Sequence, residues 1–466
     1  MSSRAGDGVS KGVALFVASM AAFMTPFMVS SLNVALPLIG REFSLSAVVL
    51  GWVPTVYLLA AAIFLIPIGR IADIYGRKRI FVYGIILYTI ACLLLPFSNS
   101  AMMLIAFRVL EGIGAAAIFG TGVAILTSVF PVGERGKALG INVALVYAGL
   151  SFGPPIGGLL TQYLTWRSIF FVNVPLGLIV IALVFWKMKG EWAEAKGEGF
   201  DLTGAAIYGL ALAALITGFS FLPGVLGIGL VLGGVLGLFL FVRWEMGVKS
   251  PLLNIGLFRN NPVFTWSNLA ALINYSATNG VGFLVSLYLQ YIKGFTPERA
   301  GLILVSQPIV MTALSPVAGR LSDRLEPQVV ASIGMALTTV GLLALVFLSQ
   351  NSSLWFILLS LVVLGVGFGL FSSPNTNAVM SSVNKRFYAV ASGTVGTMRL
   401  LGQMSSLAIV VLLFALYIGR VEITPASYPL FMSSQKTAFI IFAILCFGGI
   451  FASLARGKMR RQNRLT

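Results

Sequence analysis

The chain has 466 residues, of which 58% are hydrophobic and only 10% charged, with a mean hydropathy of +0.97 and a formal charge of +17. An ordinary soluble domain is about 25% charged, and no water-soluble core can hide this much apolar surface, so most of the chain has lipid as its solvent. The absence of His excludes the usual zinc and haem sites and imidazole catalysis, and Cys92 and Cys446, both inside apolar runs, form no disulfide framework or metal site.

Apolar runs and their breakers predict fourteen spans, at approximately 12–39, 47–69, 79–98, 101–130, 138–163, 168–188, 202–222, 225–243, 263–291, 299–319, 328–349, 353–382, 388–418 and 437–455. The first run is too long for a signal-peptide core and lacks a small-residue cleavage site, so it reads as a retained span. An even number of spans puts both termini on one side. That side collects 23 Lys and Arg residues against six in the opposite loops, which predicts a cell-membrane protein with cytoplasmic termini. The surplus charge is thus topology, and nucleic acid is not an expected partner. Membrane lipid is: the basic tail from Arg456 to Arg464 gains about 1 kcal/mol per basic residue near an anionic leaflet.

After the second span the loop GRIADIYGRKR places Gly69 and Gly76 where the chain is expected to turn, with Asp73 among Arg70, Arg77, Lys78 and Arg79. A carboxylate there can latch onto guanidinium groups or a helix start; a tight turn with a positive anchor is the alternative. The fourth span reads RVLEGIGAA and holds Arg108 and Glu111, the latter the only carboxylate expected inside the bilayer. An ionised group at that depth costs about 2.5–3.5 kcal/mol, so such groups tend to be paired and functional. Desolvation favours the neutral acid and Arg108 the ionised one, an opposition that suits binding and release of a proton; a permanently paired Glu111 is the structural alternative.

In the fifth span GLSFGPPIGG sets Gly149, Gly153, Gly157 and Gly158 around Pro154 and Pro155, a pattern for close helix approach with a kink, which serves either a pivot or static packing. Lys187 to Asp201 is a charged linker. The seventh and eighth spans, with Gly229, Gly233 and Gly237 as a packing seam, are expected at the periphery. On the ninth span Asn268, Tyr275, Asn279 and Ser286 share a stripe, as do Ser392, Arg399, Gln403 and Ser406 on the thirteenth. These are pathway faces, with polar glue between helices as the competing reading for any single residue. The loop GRLSDRLEP from Gly319 echoes the one from Gly69, so the chain reads as two parallel repeats. The expected division is an N-terminal six-helix bundle over 1–188, a linker with two extra helices over 189–262, and a C-terminal six-helix bundle with a basic tail over 263–466.

Several motifs, taken in order, resemble the major facilitator superfamily and specifically its fourteen-helix drug:proton antiporter branch, the EmrB/QacA-like proteins. GRIADIYGRKR resembles the family's GxLaDrxGrkr, RVLEGIGAA its RxxQGxG, and GLSFGPPIGG its antiporter motif GxxxGPxxGG. NVALP from Asn33, WRSIFFVNVPLG from Trp166, LYLQYIKGFTPERAG from Leu287 and SSPNTNAVM from Ser372 are also similar to sequences of that branch. The resemblance covers nearly the whole chain. It implies an all-α membrane fold of two six-helix bundles plus two extra helices, and alternating access that exports amphipathic or cationic compounds in exchange for protons. Asn33 joins the pathway candidates on this basis. No cofactor or metal is expected, and the chain is expected to act as a monomer on a small amphipathic substrate.

Two positions depart from the branch. Met28 stands where an acidic residue is common, five residues before Asn33, and Glu111 replaces the usual Gln, which suggests that the coupling carboxylate has moved from the first helix to the fourth. One titrating carboxylate implies one proton per cycle, and a single negative site disfavours dications. The rival expectations are an exporter of an endogenous lipid, metabolite or siderophore, and a facilitator without proton coupling. A membrane enzyme is disfavoured by the lack of His, of an intramembrane Asp pair and of a Walker A sequence.

Overall fold

In lipid each backbone polar group has to be satisfied within its own segment, and the sequence supplies helix starts that do so. The side chains of Ser46, Ser100, Asp201, Asn261 and Ser353 each accept a hydrogen bond from the backbone N–H three residues on. The computed structural model describes residues 10–131, 134–253, 255–383 and 388–457. Within them the long helices are α1 (Lys11–Glu42), α2 (Ala47–Tyr75), α3 (Arg77–Leu94), α4 (Ala101–Val129), α5 (Arg135–Tyr163), α6 (Asn173–Lys187), α7 (Leu202–Phe221) and α8 (Val225–Glu245). They continue with α9 (Pro262–Leu287, extended by a π turn at Tyr288–Ile292), α10 (Pro297–Leu304 and Ser306–Arg324), α11 (Pro327–Val346), α12 (Leu354–Ser381), α13 (Tyr388–Tyr417) and α14 (Tyr428–Ala455).

Thirteen segments among the described residues are long and apolar enough to cross a bilayer, and the chain is a multi-pass membrane protein. The fourteenth long helix, α9, falls short because Asn268, Asn274, Ser276, Thr278 and Asn279 dilute its apolar residues. Every expected span has its helix.

Helix packing repeats along the chain. In the first half α1 packs on α5, α2 and α3 on α4, and α3 on α6; in the second, α9 packs on α13, α10 and α11 on α12, and α11 on α14. The halves meet where α2 crosses α13, α5 crosses α10, and α1 touches α9. The hydrogen bonds joining them among the described residues run from mid-helix toward the end that carries Glu42 and Glu298. Ser286 Oγ donates to the carbonyl of Asn33 at 2.6 Å, Gln290 Nε2 to that of Val34 at 2.9 Å, and Ala47 N to that of Val421 at 2.9 Å.

Two local expectations change. Gly69 is not at a turn: α2 continues to Tyr75, and the break falls at Gly76, whose φ of 120° is a backbone conformation that side chains rarely adopt. On α8, Gly237 faces α7 at Ala211 as expected, but Gly229 and Gly233 face open space, and Gly234 completes the seam in their place. The outer position expected of both extra helices holds for α8, which packs chiefly on α7. Helix α7 itself lies against α2 and α13, one from each half, where Trp52 Nε1 donates to Ser220 Oγ at 2.7 Å and Tyr208 OH to the Ala62 carbonyl at 3.1 Å.

Candidate functional site

Helix α4 brings Arg108 and Glu111 together by its pitch alone, since residues three apart share a face. Arg108 Nη1 donates to Glu111 Oε2 at 2.6 Å, and both side chains are fully buried. The guanidinium also lies 4.4 Å from the centre of the Tyr57 ring and donates from Nε to the Val53 carbonyl at 3.2 Å, so α2 supplies its second wall. Gly112 makes this approach feasible, because a Cβ there would stand 2.8 Å from that of Ala60. Glu111 Oε1 has no hydrogen-bond partner. Met28, at the position the branch usually fills with an acid, is fully buried in the apolar core. The Arg108–Glu111 pair was legible in the sequence; the cradle formed by Tyr57 was not, since nothing in a lone Tyr announces a cation above it.

The glycines of α5 divide their work between two neighbours. Gly149, Gly153 and Gly157 face α1: a Cβ on Gly149 would be 2.5 Å from the Phe23 carbonyl oxygen, one on Gly153 2.9 Å from that of Phe27, and one on Gly157 2.7 Å from Ser31 Cα. Ser31 Oγ donates to the Gly153 carbonyl at 3.0 Å, and Ser30 Oγ occupies the space that the missing Gly153 side chain leaves. Gly158 faces the other half, where a Cβ would lie 2.6 Å from the Pro297 carbonyl oxygen. Across the same seam, Gly301 of α10 abuts the Pro154 carbonyl. One motif therefore grips α1 within its own half and α10 across the boundary.

At the opposite end of the helices, Asp73 accepts from Arg77 at 2.8 Å, one turn along. Arg77 is nearly fully buried and donates further to Ser128 Oγ and Glu194 Oε1, each at 2.8 Å. Glu191 caps the start of α3 by accepting from the backbone N–H groups of Lys78 at 2.8 Å and Arg79 at 3.1 Å. Its side chain also fills the space beside Gly76 that a Cβ would need. Arg70 pairs with Glu198 at 2.6 Å, and Ala195 N donates to the Asp73 carbonyl at 2.9 Å. The linker after α6 thus lies on the basic loop. Sequence reading missed Glu191, Glu194 and Glu198 as partners, although their spacing opposite four basic residues was the available signal. Replacing Arg77 by Ala is expected to raise trypsin cleavage after Lys189 and Lys196 about tenfold, the effect of losing ~1.4 kcal/mol from a partly exposed network. Unchanged cleavage would remove the latch from the account.

The two pathway stripes come together in part. Tyr275 lies under Arg399, with the guanidinium carbon 5.5 Å from the ring centre, and meets Phe368 edge-on at 5.4 Å. Asn279 Nδ2 donates to the Gln403 carbonyl at 3.3 Å, and the Gly280 N–H donates to Ser406 Oγ at 2.8 Å, so these residues join α9 to α13. Ser286 contacts Asn33 as described, across the boundary. Asn268 is fully buried and donates to its own helix at the Phe264 carbonyl, without joining the others through a hydrogen bond. Ser392 is half-buried. Sequence reading missed the pairing of Tyr147 of α5 with Ser372 of α12, whose hydroxyls lie 2.8 Å apart across the two halves.

The family model described as Major Facilitator Superfamily matches residues 18–407 and 268–464. The chain is 26% identical over 444 residues to the riboflavin transporter RibZ of Clostridioides difficile (strain 630), covering 95% of this chain and 97% of that one. It is 30% identical over 409 residues to the multidrug resistance protein Stp of Mycobacterium tuberculosis (strain CDC 1551 / Oshkosh), covering 86% of this chain and 74% of Stp. Its fold is like that of a bacterial homolog of the human lysosomal transporter Spinster in an inward-facing, unoccupied conformation. That match has a TM-score of 0.65 and 17% identity, and covers 96% of this chain and 97% of that one.

Proposed function

Because the chain belongs to the major facilitator superfamily, we propose that it is a proton-coupled exporter of amphipathic small molecules, of the fourteen-helix antiporter branch, working by alternating access. At the coarser level it is a secondary transporter of the superfamily's type and not an enzyme. The observation that carries the coupling is the buried Arg108–Glu111 pair, whose Oε1 atom accepts no hydrogen bond. A fully buried carboxylate held by one cation and open on its other oxygen has a place for a proton.

The repeated packing supports an alternating-access arrangement of two bundles. Residues 1–188 and 263–466 act as two six-helix bundles, with 189–262 carrying the linker and two extra helices. With the basic loops and both termini in the cytoplasm, the contacts of Asn33, Gly158 and Pro297 close the outer end, and the latch around Asp73, Gly76 and Arg77 lies on the inner side. Gly69 lies inside α2, where an added Cβ would meet open space. Tyr275, Asn279, Ser286, Arg399 and Gln403 line the path between the halves, with Asn33 at its outer closure and Asn268 beyond the inner end of that stripe. Membrane lipid surrounds a monomer. One relative's name specifies riboflavin and another's multidrug resistance, which supports a small-molecule cargo without fixing it.

The test is accumulation of a fluorescent amphipathic dye, fluorescein or ethidium, by energised inside-out vesicles. Accumulation that collapses with nigericin, which dissipates the pH gradient, is expected. Flux of dye without accumulation would instead favour the uncoupled facilitator, to which the buried Met28 also points.

A further inference from the structure

The charges at membrane depth do not cancel. Arg108 is neutralised by Glu111 at 2.6 Å, while Arg399, twelve residues into α13, pairs with no carboxylate among the described residues and lies over the Tyr275 ring. The carboxylates of the described ion pairs are Glu42, Asp73, Glu111, Glu134, Glu194 and Glu198, each held by another cation. Arg399 is half-buried, and a chain of contacts ties it to the boundary between the halves. It lies over Tyr275; Tyr275 meets Phe368; Ser372 is one turn along α12 from Phe368, on the same face; and Ser372 bonds to Tyr147 of α5. Gly402 lets α13 lie close to this ring, since a Cβ there would be 2.7 Å from Tyr275 Cβ. The aromatic wall is therefore fixed, and the guanidinium above it has donors to spare.

A guanidinium at membrane depth without a counter-charge is costly, and a bound anion is the partner that removes the cost. We infer that the substrates are amphipathic anions, with Arg399 meeting the carboxylate, sulfonate or phosphate group and Tyr275, Phe368 and Tyr147 meeting the apolar body. Planar bidentate recognition is what the guanidinium supplies. This rests on the transport reading above and narrows it, setting aside the cationic cargo that the family resemblance implies.

The experiment compares two probes with the same ring and opposite fixed charge, naphthalene-1-sulfonate and N,N,N-trimethyl-1-naphthylammonium. Binding is measured calorimetrically on the purified full-length protein in a neutral detergent. The native protein is expected to prefer the sulfonate. Arg399→Gln is expected to weaken sulfonate binding by roughly 10- to 100-fold, the loss of a charge-assisted contact, and Arg399→Lys to restore part of it. An unchanged thermal unfolding profile of Arg399→Gln shows that the variant is folded. Preference for the ammonium, equal binding of the two, binding of neither, or an Arg399→Gln protein that keeps the sulfonate preference would each overturn the inference. Binding needs no gradient, so the two readings fail separately. Sulfonate preference without nigericin-sensitive accumulation sinks the coupling alone, and accumulation without the preference sinks the anion site alone.

Discussion

Replacing Gly158 by Val is expected to reduce transport on the order of 100-fold while leaving the protein folded, because the added atoms collide across the boundary between the halves. A Cβ at this position lies 2.6 Å from the Pro297 carbonyl oxygen and 3.1 Å from Glu298 Cα, both backbone atoms that no rotamer change can move away. Overpacking of this kind costs about 1–3 kcal/mol, and the upper value shifts a two-state equilibrium by roughly 150-fold. The penalty falls only on the arrangement in which α5 touches α10. A single cysteine at Asn33, whose carbonyl Ser286 holds in the closed seam, should therefore label faster with an impermeant maleimide added from outside. The native thiols do not interfere, as Cys92 and Cys446 are fully buried. Gly153→Val should behave differently. Its collision is with α1 inside one half, so the loss appears as lower folded yield, without increased labelling. Equal labelling in Gly158→Val and the native background would disconnect this seam from the transport cycle.

The second large effect is expected at the Arg108–Glu111 pair. Glu111→Gln keeps the size and shape of the side chain and still offers an oxygen to Arg108, but it cannot exchange a proton near neutral pH. Accumulation of substrate against a gradient should fall to the level of empty vesicles, while exchange of labelled for unlabelled substrate continues. Arg108→Ala should be worse for a different reason: it leaves a fully buried carboxylate with neither its cation nor a second hydrogen bond. Removing one partner of a buried pair costs about 3–5 kcal/mol, so folded yield should drop before transport can be assayed. Full accumulation by Glu111→Gln would make the pair a static strut.

Much of this architecture was legible in the sequence because lipid leaves few options. Once an apolar run must satisfy its own backbone, its length and its breakers define a helix, and each of the fourteen expected spans has one. Side-chain spacing within one helix was equally legible, as in Asp73 with Arg77 and Arg108 with Glu111. What the sequence could not convey was which faces meet across helices. Gly229 and Gly233 carried the four-residue spacing of a packing seam, yet Gly234 is the residue that meets Leu215. A periodicity gives a stripe on a helix but not the rotation of that helix in the bundle. The acidic partners of the basic loop were hidden in the same way, since Glu191 and Lys78 are far apart in sequence and meet only because α6 returns the chain beside α3. Arg399 was found as a stripe member, but its lack of a counter-charge became visible only when the other carboxylates were seen with their partners.

The central claim is that protons move through Glu111 in exchange for substrate, and the most direct measurement is substrate-evoked proton flux. Proteoliposomes are loaded with a trapped pH dye, and whichever naphthalene probe binds is added outside, with parallel samples following its radiolabelled form. Probe entry is expected to expel protons and raise the luminal pH in native vesicles, and Glu111→Gln vesicles are expected to exchange the label with no pH change. Equal pH rises in both would place coupling at another group, and label entry without any pH change in native vesicles would contradict proton coupling altogether.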